Sequence, residues 1–302
     1  MDYQQLLLAL LPDLLVVVAL FAALGVDYAR MRGSRLAERY QMACRISAAG
    51  LIAGLAVILV QLTQASSFTA LASMTDGQLV LNTGTLTLKA LLYAMGLGVL
   101  PLAKRDQITP QVSEYFALLL LATLGMGFVV TSRNLLGAFI ALELVSLSLY
   151  AMTVLNQAKR ASAEAALKYL TFGAVASGFL LFGLSYLYGA TGQLDLTQMT
   201  DLQHSPLLVL AYLLIFVGLG FKLALAPFHL WAPDVYQNAP TPVAGWVGSG
   251  SKIAAAALLI ALLQPVSDAP KLKEALIPAL AALAVLSMVV GNLGALRQTN
   301  LK

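Results

Sequence analysis

The stretch Leu207-Leu-Val-Leu-Ala-Tyr-Leu-Leu-Ile-Phe-Val-Gly-Leu-Gly-Phe-Lys222-Leu-Ala-Leu-Ala-Pro227-Phe-His229-Leu230 decides the fold. It is apolar enough and long enough to cross a bilayer as a helix, since about 20 residues at 1.5 Å each span the hydrocarbon. Lys222 sits well inside it. Glu143 within 134–155 and Lys252 within 243–263 are placed the same way. A charge at mid-membrane costs about 3 kcal/mol or more, so such residues face a bundle interior and mark ion or proton paths.

Composition sets the class. The chain has 302 residues, of which 60% are hydrophobic and 11% charged, with mean hydropathy +0.84. A soluble domain carries about 25% charged residues. The apolar runs are continuous rather than alternating, which selects helices over a barrel. The expectation is an all-α, polytopic membrane bundle with nine spans, at 5–26, 44–63, 84–103, 112–131, 134–155, 163–188, 207–230, 243–263 and 274–296. Pro227 removes a backbone donor and clashes one turn back, so the seventh helix is expected to break between Lys222 and Pro227, helped by flexibility at Gly218 and Gly220.

Net charge is only +4, which argues against nucleic-acid binding, and the single cysteine, Cys44, excludes an internal disulfide or a cysteine metal cluster. The start Met1-Asp2-Tyr3 lacks the basic region of a cleaved signal, so the first span reads as a retained helix. Loop lysines and arginines divide eleven to three when the first loop is cytoplasmic; Lys159, Arg160, Arg297 and Lys302 count on the larger side and Arg133, Lys271 and Lys273 on the smaller. This places the N-terminus outside, in the periplasm for a protein of a bacterial inner membrane. The longest polar stretches, 64–81 and 189–204, then lie on the outer side.

Five residues are candidates for proton transfer. Glu143 shares a helix face with Ser146 and Tyr150, at i+3 and i+7. Lys222 lies beside the expected helix break, an arrangement typical of transport sites. Lys252 follows Gly248-Ser-Gly-Ser, small residues that permit close packing, and the carbonyls of the broken helix are an alternative, structural seat for it. Lys168 sits four residues after Glu164; an interfacial ion pair stands beside a functional role. His229, seven residues after Lys222, is either a relay to Lys252 or a hydrogen-bonded core residue. Lys89 near its span end reads as a snorkelling lysine, and Asp13 after Pro12 as the maker of a local structural bond.

The run Phe221-Lys-Leu-Ala-Leu-Ala-Pro-Phe-His-Leu-Trp-Ala-Pro-Asp-Val-Tyr-Gln-Asn-Ala-Pro-Thr-Pro-Val243 resembles the seventh-to-eighth helix region of the antiporter-like subunits of respiratory complex I. Glu114-Tyr-Phe-Ala-Leu-Leu-Leu-Leu-Ala-Thr-Leu-Gly-Met126 and Ala141-Leu-Glu-Leu-Val-Ser-Leu-Ser-Leu-Tyr150 look like the fourth and fifth helices of that family, and Lys252, where related subunits often carry histidine, points to its subunit N branch.

The resemblance implies a proton-translocating membrane subunit of NADH:quinone oxidoreductase, driven by quinone reduction elsewhere in the complex. It has no redox cofactor of its own, and its partners are other membrane subunits and the lipid bilayer. Glu143 and Lys222 match the family's charge pair, Lys168 its modulator and Lys252 the lysine on the central axis. Residues 1–111 correspond to three N-terminal helices, 112–263 to the first five-helix unit and 264–302 to the start of a second.

The family has about fourteen helices, so most of the second unit is expected to be absent. With it would go the other half of the proton route, and the chain alone is expected not to conduct. A face of small residues at 254–257 and 279–284 is expected to lie exposed. Two other readings remain: a subunit of a multisubunit cation/proton antiporter, and a non-conducting assembly scaffold.

Overall fold

The computed structural model describes residues 3–68, 75, 77–155, 160–200 and 202–298. Lys159, Lys302 and parts of the two polar stretches lie outside them. Among the described residues there are nine candidate membrane-crossing segments and no strand beyond one isolated bridge, Asn134 to Asp195. The chain is an all-α polytopic membrane bundle.

The helices are α1 (Tyr3–Val26), α2 (Leu36–Thr63), α3 (Thr83–Asp106), α4 (Val112–Thr131), α5 (Leu135–Val154), α6 (Arg160–Thr191) and α7 (Pro206–Leu223). Two short helices follow, α8 (Ala232–Asn238) and α9 (Thr241–Gly248), and then α10 (Gly250–Ser267) and α11 (Pro270–Leu296). The starts of α3, α5 and α7 are set by side-chain caps that satisfy first-turn amides. The Asn134 carboxamide accepts from Leu136 N and Gly137 N. Asn82 and Thr85 form a reciprocal capping box on α3. Ser205 accepts from Leu208 N, and Pro206 opens α7 without needing a partner.

The core lies around α4. In that helix 78% of the central window is buried, against 6% in α11. α4 packs on α1, α2, α3, α5 and α10, while α6 and α7 pair closely on one flank. Close approach is set by small residues. A side chain at Gly218 would meet the carbonyl oxygen of Ala176 at 2.9 Å, and one at Gly220 the ring of Phe228 at 2.7 Å. These glycines serve packing, where flexibility was expected. Leu223 ends α7, and Ala224 turns left-handed with φ 56°, its amide reaching back to Gly220 and Phe221. The expected break is therefore present, one turn before Pro227.

A second interruption was not expected. Ser249 (φ −119°, ψ −77°) parts α9 from α10 inside the eighth span. The exposed small-residue face is present only in part. Ala254 and Ala255 are buried, because α10 packs on α4 and α7, whereas Ala281, Ala282 and Ala284 of α11 are exposed.

Lys89 and Asp13 overturn their sequence readings. The Lys89 ammonium donates to Asp13 Oδ2 at 2.6 Å and the Tyr93 hydroxyl to Asp13 Oδ1 at 2.8 Å. Lys89 is 1% exposed, so it does not snorkel, and Asp13 bonds across to α3, not locally. One turn of α3 carries both donors toward the same face of α1, and a buried carboxylate needs both.

Candidate functional site

Glu143 and Ser146 stand on the same face of α5, one turn apart, where helical periodicity puts them. Lys222 comes from the last turn of α7. Its ammonium donates to Glu143 Oε1 at 3.4 Å and to Ser146 Oγ at 2.5 Å. Ser177 of α6 donates to the same Glu143 oxygen at 2.6 Å. The side chain of Lys222 is 10% exposed and that of Glu143 26%. The rings of Tyr150 and Phe221 each lie 5.9 Å from the ammonium.

The helix break makes the next contact. Because α7 stops at Leu223, the Lys222 carbonyl has no partner one turn on, and it accepts from the Lys252 ammonium at 2.8 Å. Lys252 also lies 4.9 Å over the ring of Trp231, a cation–π contact. Trp231 is fixed by its indole N–H donating to Phe221 O at 3.1 Å and by stacking on Tyr169 at 4.4 Å and 8°. Between Lys222 and Ser251 lies a cavity of about 20 Å3, lined also by Ser146 and Tyr169. That is room for one water molecule.

The other two candidates lie apart from this cluster. Lys168 pairs with Glu164 at 2.9 Å and with Asp234 of α8 at 2.8 Å, and its side chain is 42% exposed. The intrahelical partner was legible in the sequence; Asp234 was not. Among the described residues the buried His229 Nδ1 has no hydrogen-bond partner; it lies in the segment between α7 and α8. Among the described residues no hydrogen bond joins it to Lys252, whose ammonium goes to the Lys222 carbonyl. Ser177 and Trp231 were given no role from the sequence, where each is one more serine or tryptophan in an apolar run, and Ser251 was read only as a small packing residue. Among the described residues no group of three His, Cys, Asp or Glu side chains is arranged to hold a metal ion.

A family model described as NADH:quinone oxidoreductase/Mrp antiporter, transmembrane region, matches residues 132–302, more than half of the chain. The chain belongs to this antiporter family. The match covers Glu143, Lys168, Lys222, His229 and Lys252.

Among similar antiporter-family proteins is NADH-quinone oxidoreductase subunit N 2 of Acidobacterium capsulatum, 42% identical over 100% of this chain and 63% of the relative. Subunit N of Halorhodospira halophila is 46% identical over 63% of this chain and 40% of the relative. The chain thus spans less than two thirds of the curated relatives it matches. A chain of respiratory complex I from Thermus thermophilus, solved with bound aureothin, superposes with a TM-score of 0.76 at 34% identity, over 95% of this chain and 58% of that one. A chain of the archaeal membrane-bound sulfane sulfur reductase gives 0.66 at 24% identity, over 96% and 60%, a likeness of fold.

Proposed function

We propose that this chain is a proton-translocating membrane subunit of a complex I-type NADH:quinone oxidoreductase, of the subunit N kind. It works with the other membrane subunits of that complex and holds no redox cofactor itself. Quinone reduction elsewhere in the complex drives proton transfer through Glu143, Lys222 and Lys252. The observation that carries this reading is the contact order Glu143–Lys222–Lys252, built across a broken helix at membrane depth. Half-buried ionisable groups of both signs, with serine hydroxyls on the Glu143–Lys222 pair and a water-sized cavity against Lys222, suit stepwise proton exchange. Loss of a proton from Lys222 leaves Ser146 to hold the amine, and the Lys222 carbonyl keeps Lys252 within reach.

The eleven-to-three division of loop basic residues supports an N-terminus on the outer side of a bacterial inner membrane. The three-helix, five-helix and partial second-unit division at 111 and 263 is part of the same reading. Lys168 adjusts the pair from the cytoplasmic edge of α6, and His229 stands as a further proton acceptor beside the break.

The test is proton pumping by membrane vesicles that carry the whole complex. Lys222→Ala and Glu143→Gln should each abolish most NADH-driven acidification while the complex remains assembled. Pumping unaffected by both replacements would overturn the reading and favour an assembly scaffold. Transport that requires sodium would favour a cation/proton antiporter subunit.

A further inference from the structure

The hydroxyls around the Glu143–Lys222 pair are arranged so that each charge has a neutral partner of its own. Ser146 Oγ donates its one proton to Leu142 O at 2.7 Å. Its lone pairs are then left for the Lys222 ammonium, 2.5 Å away. Ser177 gives its proton to Glu143 Oε1 at 2.6 Å. That is the same oxygen Lys222 addresses at 3.4 Å. A charge-assisted N–H···O contact normally closes to about 2.8 Å. The Lys222–Glu143 contact is longer than that, whereas the Ser177–Glu143 bond has the ordinary length of a hydroxyl on a carboxylate and Ser146 lies closer to the ammonium than Glu143 does. Ser146 and Ser177 are both buried, come from different helices and approach opposite members of the pair.

We infer that Ser146 and Ser177 are positioning residues that hold the Glu143–Lys222 pair apart and keep each partner solvated when the other changes its proton. The inference rests on the proton-transfer reading and adds to it the residues that set how easily the pair separates. A contact closed to full ion-pair length would lock both protonation states, because separating buried unlike charges leaves each uncompensated. Ser177 competes with Lys222 for one carboxylate oxygen. Ser146 offers Lys222 an acceptor that bears no charge. Opening the pair then exchanges one hydrogen bond for another instead of leaving a bare charge.

The experiment combines two readouts on the assembled complex in native membranes. Infrared difference spectra, with Glu143→Gln assigning the band, report the hydrogen bonding of the Glu143 carboxyl. Pumping against pH reports proton exchange. Ser177→Ala should shift the Glu143 band, change the shape of the pH profile and slow pumping by about tenfold, the scale of one lost hydrogen bond to a charged group. Ser146→Ala should slow pumping by a similar factor, and Ser→Thr at either position, which keeps the hydroxyl, should restore both readouts.

An unmoved Glu143 band in Ser177→Ala, or a loss that threonine does not rescue, would overturn the inference, whatever the pumping rate. If the band moves as expected but Glu143→Gln itself pumps normally, the positioning contact stands and proton translocation through Glu143 is what fails.

Discussion

Asp13→Ala should be among the most destabilising single replacements outside the proton-transfer cluster. The Asp13 carboxylate accepts from Lys89 at 2.6 Å and from Tyr93 at 2.8 Å. Lys89 and Tyr93 are 1% and 0% exposed, so neither can turn to water when the carboxylate goes. Removing one partner of a buried ion pair costs about 3–5 kcal/mol, and an orphaned hydroxyl about 1–3 kcal/mol. The two overlap, because the lysine and the tyrosine lose one and the same partner. About 4 kcal/mol is expected. Replacing both charges together, as Asp13→Leu with Lys89→Met, should recover most of that, since an apolar pair of similar volume needs no compensation. The assay is reversible unfolding in mixed micelles, followed by helical circular dichroism, for wild type, both single variants and the double. A coupling energy of at least about 3 kcal/mol between positions 13 and 89 is the expected outcome, and more if the lysine variant is itself costly. A loss below about 1 kcal/mol in Asp13→Ala, or additivity across the cycle, would refute the claim that the pair ties α1 to α3.

Gly218→Ala forces a methyl against the Ala176 carbonyl and the Leu180 backbone; overpacking of this kind should cost about 1–3 kcal/mol in the same unfolding assay. Asn134→Ala removes the acceptor for two first-turn amides of α5, and a loss of about 1 kcal/mol is expected there. Lys168→Ala breaks two ion pairs whose members are all more than 40% exposed. Stability should hardly change, because solvent screens exposed pairs, so a large pumping defect in that variant would be functional rather than structural. Trp231→Leu removes the indole bond to Phe221 and the ring under Lys252; slower pumping with normal assembly is expected, and unchanged pumping would show that the ring does not seat Lys252.

The sequence determined the membrane class, the nine candidate crossings found among the described residues and the break before Pro227, because hydropathy and proline chemistry act over one turn or one span. It also exposed Glu143, Lys222 and Lys252, since a charge in an apolar run is visible without knowing its neighbours. Partner choice was legible for Lys168 with Glu164 by helical spacing and for Glu143 with Lys222 through the resemblance, but not for Lys89 or Asp13. Lys89 and Asp13 are 76 residues apart, and only the packing of α1 on α2 and α4 brings the carboxylate to the lysine. Ser146 was placed beside Glu143 by helical spacing, but Ser177 was indistinguishable from other membrane serines until α6 closed on α5. Gly218 and Gly220 looked flexible because sequence shows no neighbour; the structure fills their missing side chains with Ala176, Leu180 and Phe228. Helix formation is local and follows from composition, whereas which charges meet depends on helix rotation and crossing, and those are set by contacts between residues far apart in the chain.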